Sequence, residues 1–184
     1  LPSCERLGTL PAEWGDMPLG FDQEDRALVL HGNDGVTRVP VRFTADAGWQ
    51  FGPGVKLIPN STRDTWGMDQ AGNLLVAPNY HSGGAIYHFN GWTDGRYGFQ
   101  TVRTKPQHDV RHASVSPDGQ WTVLGSHVSG QAAVYSTRDG SFVQELVAAS
   151  GGRSVFSPQG EWLVAGRFAG GGELFSVPDW KSQG

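Results

Sequence analysis

The chain has 184 residues and a net charge of −4; 38% of residues are hydrophobic, 11% aromatic and 17% charged. That apolar content offsets the entropy of folding and excludes a disordered chain; the lack of a basic stripe excludes nucleic acid as a partner. No apolar run approaches the roughly 20 residues of a membrane span, so direct membrane insertion by this segment is not expected, and one cysteine, Cys4, excludes an internal disulfide.

Taken in chain order, Ser3–Thr9 reads as a lone strand. Pro18–Phe21 and Ala27–Leu30 then flank the turn that opens at Asp22-Gln23-Glu24-Asp25, and together they read as a hairpin. A third strand follows at Val36–Val41, where Pro40 removes a ladder donor and implies an edge or a bulge. Gly48–Phe51 closes this first unit, and residues 52–64 read as a long connection. The second unit repeats the plan with Trp66–Met68, the turn Asp69-Gln70-Ala71-Gly72, Leu74–Ala77, Ala85–Phe89 and Tyr97–Val102. Residues 90–96, Asn-Gly-Trp-Thr-Asp-Gly-Arg, read as a loop inserted before its last strand. In the third unit, Ala113–Val115 and Trp121–Leu124 flank Ser116-Pro117-Asp118-Gly119, and Ala132–Ser136 and Ser141–Leu146 complete it. The fourth has Ser154–Phe156, the turn Ser157-Pro158-Gln159-Gly160, Trp162–Ala165 and Glu173–Val177, and stops before a fourth strand.

The turns begin at residues 22, 69, 116 and 157, at spacings of 47, 47 and 41. A period of roughly 40–45 residues is that of four-stranded propeller blades. The expected fold is therefore all-β: a β-propeller of four-stranded antiparallel blades, about four of them present, forming part of a larger propeller. The whole of 1–184 reads as one propeller segment. Residues 1–9 give the outer strand of a preceding or closing blade; 16–52, 64–103 and 108–147 are blades, and 150–180 is an incomplete one. A closed four-blade ring is the alternative. Loss of an upstream blade is favoured, because four-blade rings are a minority, and the start at Leu1 rather than Met agrees with it.

His108-Asp109-Val110-Arg111-His112-Ala113-Ser114-Val115-Ser116-Pro117-Asp118-Gly119 resembles the opening of a bacterial WD-repeat, and Phe156-Ser157-Pro158-Gln159-Gly160-Glu161-Trp162 repeats it. Ala133–Gly140 is similar to the strand and turn that carry the Trp-Asp pair, with Tyr135-Ser136 in its place. The resemblance is strongest over the last 75 residues or so. It implies a sensory or scaffold role, as in propeller regions that follow serine/threonine kinase domains in bacterial multidomain proteins. This segment carries no kinase motif.

Catalytic signals are weak. His108/His112 and His81/His88 lack the helix or cysteine partners of a metal centre and read as histidines bonded to nearby backbone. Ala169-Gly170-Gly171-Gly172-Glu173 joins two strands and lacks the Lys-Ser/Thr of a phosphate loop. Trp121 and Trp162 match in the repeat and read as core. The inner strands offer small residues, Gly67, Ser114 and Ser154. No catalytic residue, metal ligand or cofactor is therefore assigned.

By propeller geometry, the loops before each first strand and between the second and third strands share one face. That face would present Arg63, Asp64, His81, Arg111, His127, Arg153 and Arg167, and Trp92 in the inserted loop is a further contact candidate. The expected function is non-catalytic binding of a protein or ligand, with a protein partner or a subunit of a larger assembly as its occupant. A propeller enzyme of lyase, lactonase or quinoprotein type, or a purely architectural subunit, is the alternative. The compartment is not readable from the sequence.

Overall fold

The computed structural model describes residues 9–10, 16–22, 26–59, 64–93, 96–127, 131–146, 153–166 and 170–184, with the side chains of 92, 93 and 96 excepted. Most of Ser3–Thr9 thus lies outside the described residues. The chain divides into two compact units, Leu1–Arg63 and Asp64–Gly184. Every sheet is antiparallel. No helix among the described residues is long and apolar enough to cross a membrane.

The recurring turn is built the same way each time. Its first residue bonds the strand residue five positions on, by backbone and by side chain. Backbone N–H to C=O distances are 2.9 Å for Asp22–Ala27, 3.2 Å for Asp69–Leu74, 2.9 Å for Ser116–Trp121 and 2.8 Å for Ser157–Trp162. The side-chain oxygens of Asp22, Asp69, Ser116 and Ser157 accept the N–H of the same partners at 3.0, 2.9, 2.9 and 3.1 Å. Asp and Ser serve equally because each offers a short side-chain acceptor. Gly72, Gly119 and Gly160 hold φ of 69°, 70° and 75°, the region that glycine occupies without steric cost.

In the first unit, β1 (Met17–Phe21), β2 (Ala27–Gly32), β3 (Gly35–Thr44), β4 (Gly48–Phe51) and β5 (Val55–Pro59) form one sheet. β4 pairs with the far half of β3, Val41 to Thr44, and β5 with its near half, Gly35 to Arg38. The stretch read as a connection, 52–64, therefore supplies half of the outer strand. Gly52-Pro53-Gly54 breaks that strand opposite Val39 and Pro40. Val41 N–H donates to the C=O of Arg26, just before β2, while Pro40 C=O accepts from Gly52. The donor that Pro40 lacks would have faced the break, so the sheet bulges there and β3 stays central.

In the second unit three sheets follow in order. The first is β6 (Gly67–Met68), β7 (Leu74–Asn79), β8 (Gly83–Thr93) and β9 (Arg96–Arg103). The second is β10 (Val110–Val115), β11 (Trp121–Ser126), β12 (Ala132–Ser136) and β13 (Phe142–Leu146). The third is β14 (Ser154–Phe156), β15 (Trp162–Gly166) and β16 (Gly172–Ser176). Residues 90–93 and 96 are not a loop: Trp92 pairs with Tyr97 and Thr93 with Arg96, extending the β8–β9 hairpin. Past β16, Ser182 bridges Phe175 and Gln183 N–H bonds Leu174 C=O at 2.8 Å. This is an isolated bridge on a three-stranded sheet, which stops short of a fourth strand.

Between these sheets lie two apolar layers. Leu74, Val76 and Ile86 of one sheet meet Val110, Val115, Leu124 and Tyr135 of the next. Val123, Val134 and Leu146 of that sheet then meet Phe156, Leu163, Ala165, Phe175 and Trp180. Each strand after the turn alternates, one set of side chains facing back and the other forward, as period-two strands require.

Candidate functional site

The inner strands of the second unit stand side by side. Thr65, just before β6, bridges His112 in β10; its N–H bonds Arg111 C=O at 3.0 Å, and its C=O accepts from Ala113 at 2.9 Å. Further along, the hydroxyls of Ser114 and Ser154 bond at 2.7 Å. A methyl on Gly67 would lie 2.9 Å from Val115 Cγ2 and 3.1 Å from Ala113 O, so this close approach needs glycine. These strands line an open cleft of about 450 Å³ that also touches Met68, Val155 and Phe156.

At the end where the inner strands begin, a polar cluster forms. Arg111 Nε donates to Asp109 Oδ1 at 2.9 Å, and its Nη1 lies 3.6 Å from Asp64 Oδ1. The guanidinium sits 4.7 Å from the centre of the Tyr80 ring, which meets the His81 ring edge-on at 4.5 Å. His127 Nδ1 lies 4.0 Å from Asp109 Oδ2. Asp109 is buried, with φ at 54°. Its N–H bonds Tyr80 C=O at 2.7 Å and its C=O accepts from His127 at 3.0 Å, so the backbone itself fastens three loops around one carboxylate. Arg111 is held more firmly protonated by its bond to Asp109, with Asp64 adding to it.

His112 lies beneath this cluster. Its Nδ1 is buried without a hydrogen-bond partner among the described residues. Burial pushes its pKa below the ordinary value, the charge of Arg153 adds to that, and Asp64 opposes it. The ring is therefore neutral at pH 7. Arg153, exposed just before Ser154, has no acidic partner among the described residues; Arg111 has two.

Of the residues expected on one face, His81, Arg111, His127 and Arg153 all lie at this end, with Asp64. Arg63 and Arg167 lie outside the described residues. Trp92 does not join them: β8 starts near His81, at Gly83, and carries Trp92 toward its other end at Thr93. Only its backbone is described. Tyr80 and Asp109 were missed. Tyr80 had a signal, its place beside His81 in a turn; Asp109 had none, since its role depends on a left-handed backbone. Elsewhere His88 Nε2 bonds Thr137 O at 2.8 Å, a histidine on backbone as expected. Trp121 packs edge-on against Trp180, but Trp162 is 41% exposed and is not core, because no further sheet of the second unit covers its side among the described residues. Gly170 and Gly171 turn the chain between β15 and β16 at φ of 91° and 80°.

No protein-family model matches this chain, and no curated protein matches its sequence. Solved structures do. Hydrazine synthase of Kuenenia stuttgartiensis is 12% identical with a TM-score of 0.60, covering 100% of this chain and 51% of that one. A functionally unknown protein from Desulfotomaculum acetoxidans is 14% identical, with a TM-score of 0.64 over 96% and 59%. Hsv2 of Kluyveromyces lactis is 14% identical, with a TM-score of 0.68 over 94% and 52%. The chain spans little more than half the length of these structures. The likeness establishes the fold: an all-β propeller type with four-stranded antiparallel blades, about four in this chain.

Proposed function

We propose that this chain is a non-catalytic propeller module that binds a protein partner through the loop end of its second unit, around Arg111 and Arg153. The observation that carries this reading is the convergence of Tyr80, His81, Arg111, His127 and Arg153, drawn from three loops and the start of β10, on one end of the inner strands. Such a surface offers an exposed aromatic ring, a fixed guanidinium and a second guanidinium without an acidic neighbour among the described residues. That chemistry suits a carboxylate on an acidic peptide segment. A monoanion suits it better than a phosphate, because Asp64 and Asp109 stand close by and repel a second negative charge.

The resemblance to bacterial WD-repeats supports a place for this module as a scaffold or sensor region of a larger bacterial protein. The test is fluorescence anisotropy with a labelled Glu-rich decapeptide. Saturable binding that weakens at least tenfold when Arg111 and Arg153 are both replaced by Ala, in a variant with unchanged circular dichroism, supports the reading. Equal affinity of wild type and variant contradicts it.

A further inference from the structure

A second cleft lies in the same unit, at the end of its strands away from Arg111. It holds about 630 Å³ between the first and second sheets. His88 and Gln100, cross-strand partners on β8 and β9, form one wall. The turn at Gln120 and the hairpin end from Ser136 to Arg138 form the other. The two walls are braced. His88 Nε2 lies 2.8 Å from Thr137 C=O. A carbonyl only accepts, so Nε2 carries the hydrogen, and in the neutral ring Nδ1 is then the acceptor. The buried Thr137 donates in turn to Gln120 C=O, by its hydroxyl at 3.0 Å and by its N–H at 3.0 Å.

A blade does not need this polarity. The hairpin end from Ser136 to Ser141 recurs as Ser176 to Lys181 with the same backbone bonds. Val177 and Pro178 stand there in the places of Thr137 and Arg138. The facing pair on the preceding sheet changes too, from Leu74 and His88 to Trp121 and Ser136. Trp121 and Val177 pack against the buried layer between the second and third sheets, beside Trp180. One junction is thus sealed by apolar side chains, while its counterpart is lined by hydrogen-bonding groups.

Gln100 and Gln120 are exposed, and each amide is a planar donor and acceptor that can engage neighbouring hydroxyls. Arg138 is exposed, with no ion-pair partner among the described residues. The carboxylates beside it are engaged in their own turns: Asp118 accepts from Gln120 N–H at 3.0 Å, and Asp139 from Ser141 N–H at 3.1 Å. Trp121 is the single large apolar residue on the lining. A protein anchor would find little apolar floor here, whereas a ligand held mainly by hydrogen bonds fits. A carboxylate suits Arg138. We infer that this cleft binds a sugar that carries a carboxylate, of the hexuronate kind. Gln100 and Gln120 hold its hydroxyls and Arg138 its carboxylate. The volume lies within the roughly 300–1,000 Å³ of small-molecule sites. None of these residues belongs to the peptide surface around Arg111, so the two readings stand or fall separately.

The experiment is a two-dimensional NMR titration of the isotopically labelled full chain with sodium glucuronate, glucose and acetate in parallel. Glucuronate is expected to shift the side-chain amides of Gln100 and Gln120 and the backbone of Thr137 and Arg138, saturating below about 50 mM. Glucose and acetate should each bind at least tenfold more weakly. Arg138→Ala should abolish the preference for glucuronate over glucose and leave the spectrum of the free chain otherwise unchanged. Gln120→Ala should weaken both sugars alike. Absence of saturable shifts with glucuronate overturns the inference, and so do shifts centred away from these residues. Acetate binding as tightly as glucuronate also overturns it, because Arg138 would then take any carboxylate. An Arg138→Ala variant that binds glucuronate as the wild type does has the same force.

Discussion

Replacing Trp180 tests how the last turn of the chain is held. Trp180 is buried, packs edge-on against Trp121 at 5.8 Å and Phe156 at 6.4 Å, and has φ of 54°. In the equivalent turn of the preceding sheet a glycine, Gly140, holds φ of 70°, and both turns close with the same pattern of backbone bonds. Removing a buried tryptophan side chain costs about 3–5 kcal/mol. A residue with a Cβ in the left-handed region carries a further strain of about 1–2 kcal/mol that glycine escapes. Glycine ordinarily costs about 0.5–1 kcal/mol relative to alanine through its freer unfolded chain. At this position the strain outweighs that entropy, so Trp180→Gly should be more stable than Trp180→Ala by roughly 0.5–1 kcal/mol. The usual order of the two substitutions is reversed. Urea unfolding followed by far-ultraviolet circular dichroism measures both, with equal m-values as the check on a common unfolded state. If Trp180→Gly proves the less stable of the two, the strain argument is wrong.

Other predictions follow from single residues. Gly140→Ala combines φ of 70° with a Cβ that would sit 2.4 Å from Arg103 O; urea denaturation should show a loss of roughly 2–4 kcal/mol, against about 1–2 kcal/mol at Gly91, where φ of 92° strains a Cβ that meets nothing. Asp22 and Asp69 hold the same place in the repeat but shift in opposite directions. Burial would raise Asp22, yet the bonds from Arg38 and from the N–H groups of Ala27 and Arg26 outweigh it and leave its pKa below 3.8. Its contribution is present above pH 3.8 and is lost as pH falls through its lowered value, so Arg38→Ala should flatten the acid limb of the first unit's stability curve. In Asp69, burial outweighs the bonds from backbone N–H groups and raises the pKa. Its favourable contribution is present below 3.8 and is lost as pH rises through the raised value. Asp69→Asn, which keeps an acceptor for Leu74 N–H, should therefore raise Tm at pH 7 and do so less at pH 3.5. A drop in Tm at pH 7 would refute this.

The blades were legible because their turns obey local rules. A short acceptor side chain and an apolar strand on either side recur without help from distant residues, and in three of the four turns a glycine stands three places later. The opposite shifts of Asp22 and Asp69 were not legible, since they depend on a cross-strand choice: Arg38 faces Val29, while Ile86 faces Val76. β5 was hidden because Gly52-Pro53-Gly54 carries every mark of a linker, although here it bulges one long outer strand around Pro40. The β8–β9 arm was hidden for a similar reason: Asn90-Gly91 reads as a turn, and its pairing becomes visible only with Tyr97 and Phe99 opposite. Trp162 reads as core from the sequence because Trp121 is its repeat partner. Repetition fixes a position in a blade; whether another sheet covers that position depends on the neighbours. At the candidate site, the loops that hold His81, Arg111, His127 and Arg153 could be placed from topology. Asp109, which ties them together, could not.

The most direct test of the account is to map where an acidic peptide binds. Two-dimensional NMR of the isotopically labelled chain, titrated with the Glu-rich decapeptide, reads this residue by residue. The account predicts shifts confined to Tyr80, His81, Asp109 to His112, His127 and Arg153. Shifts centred instead on the cleft lined by His88, Gln120, Trp121 and Arg138, at the opposite end of these strands, would contradict it.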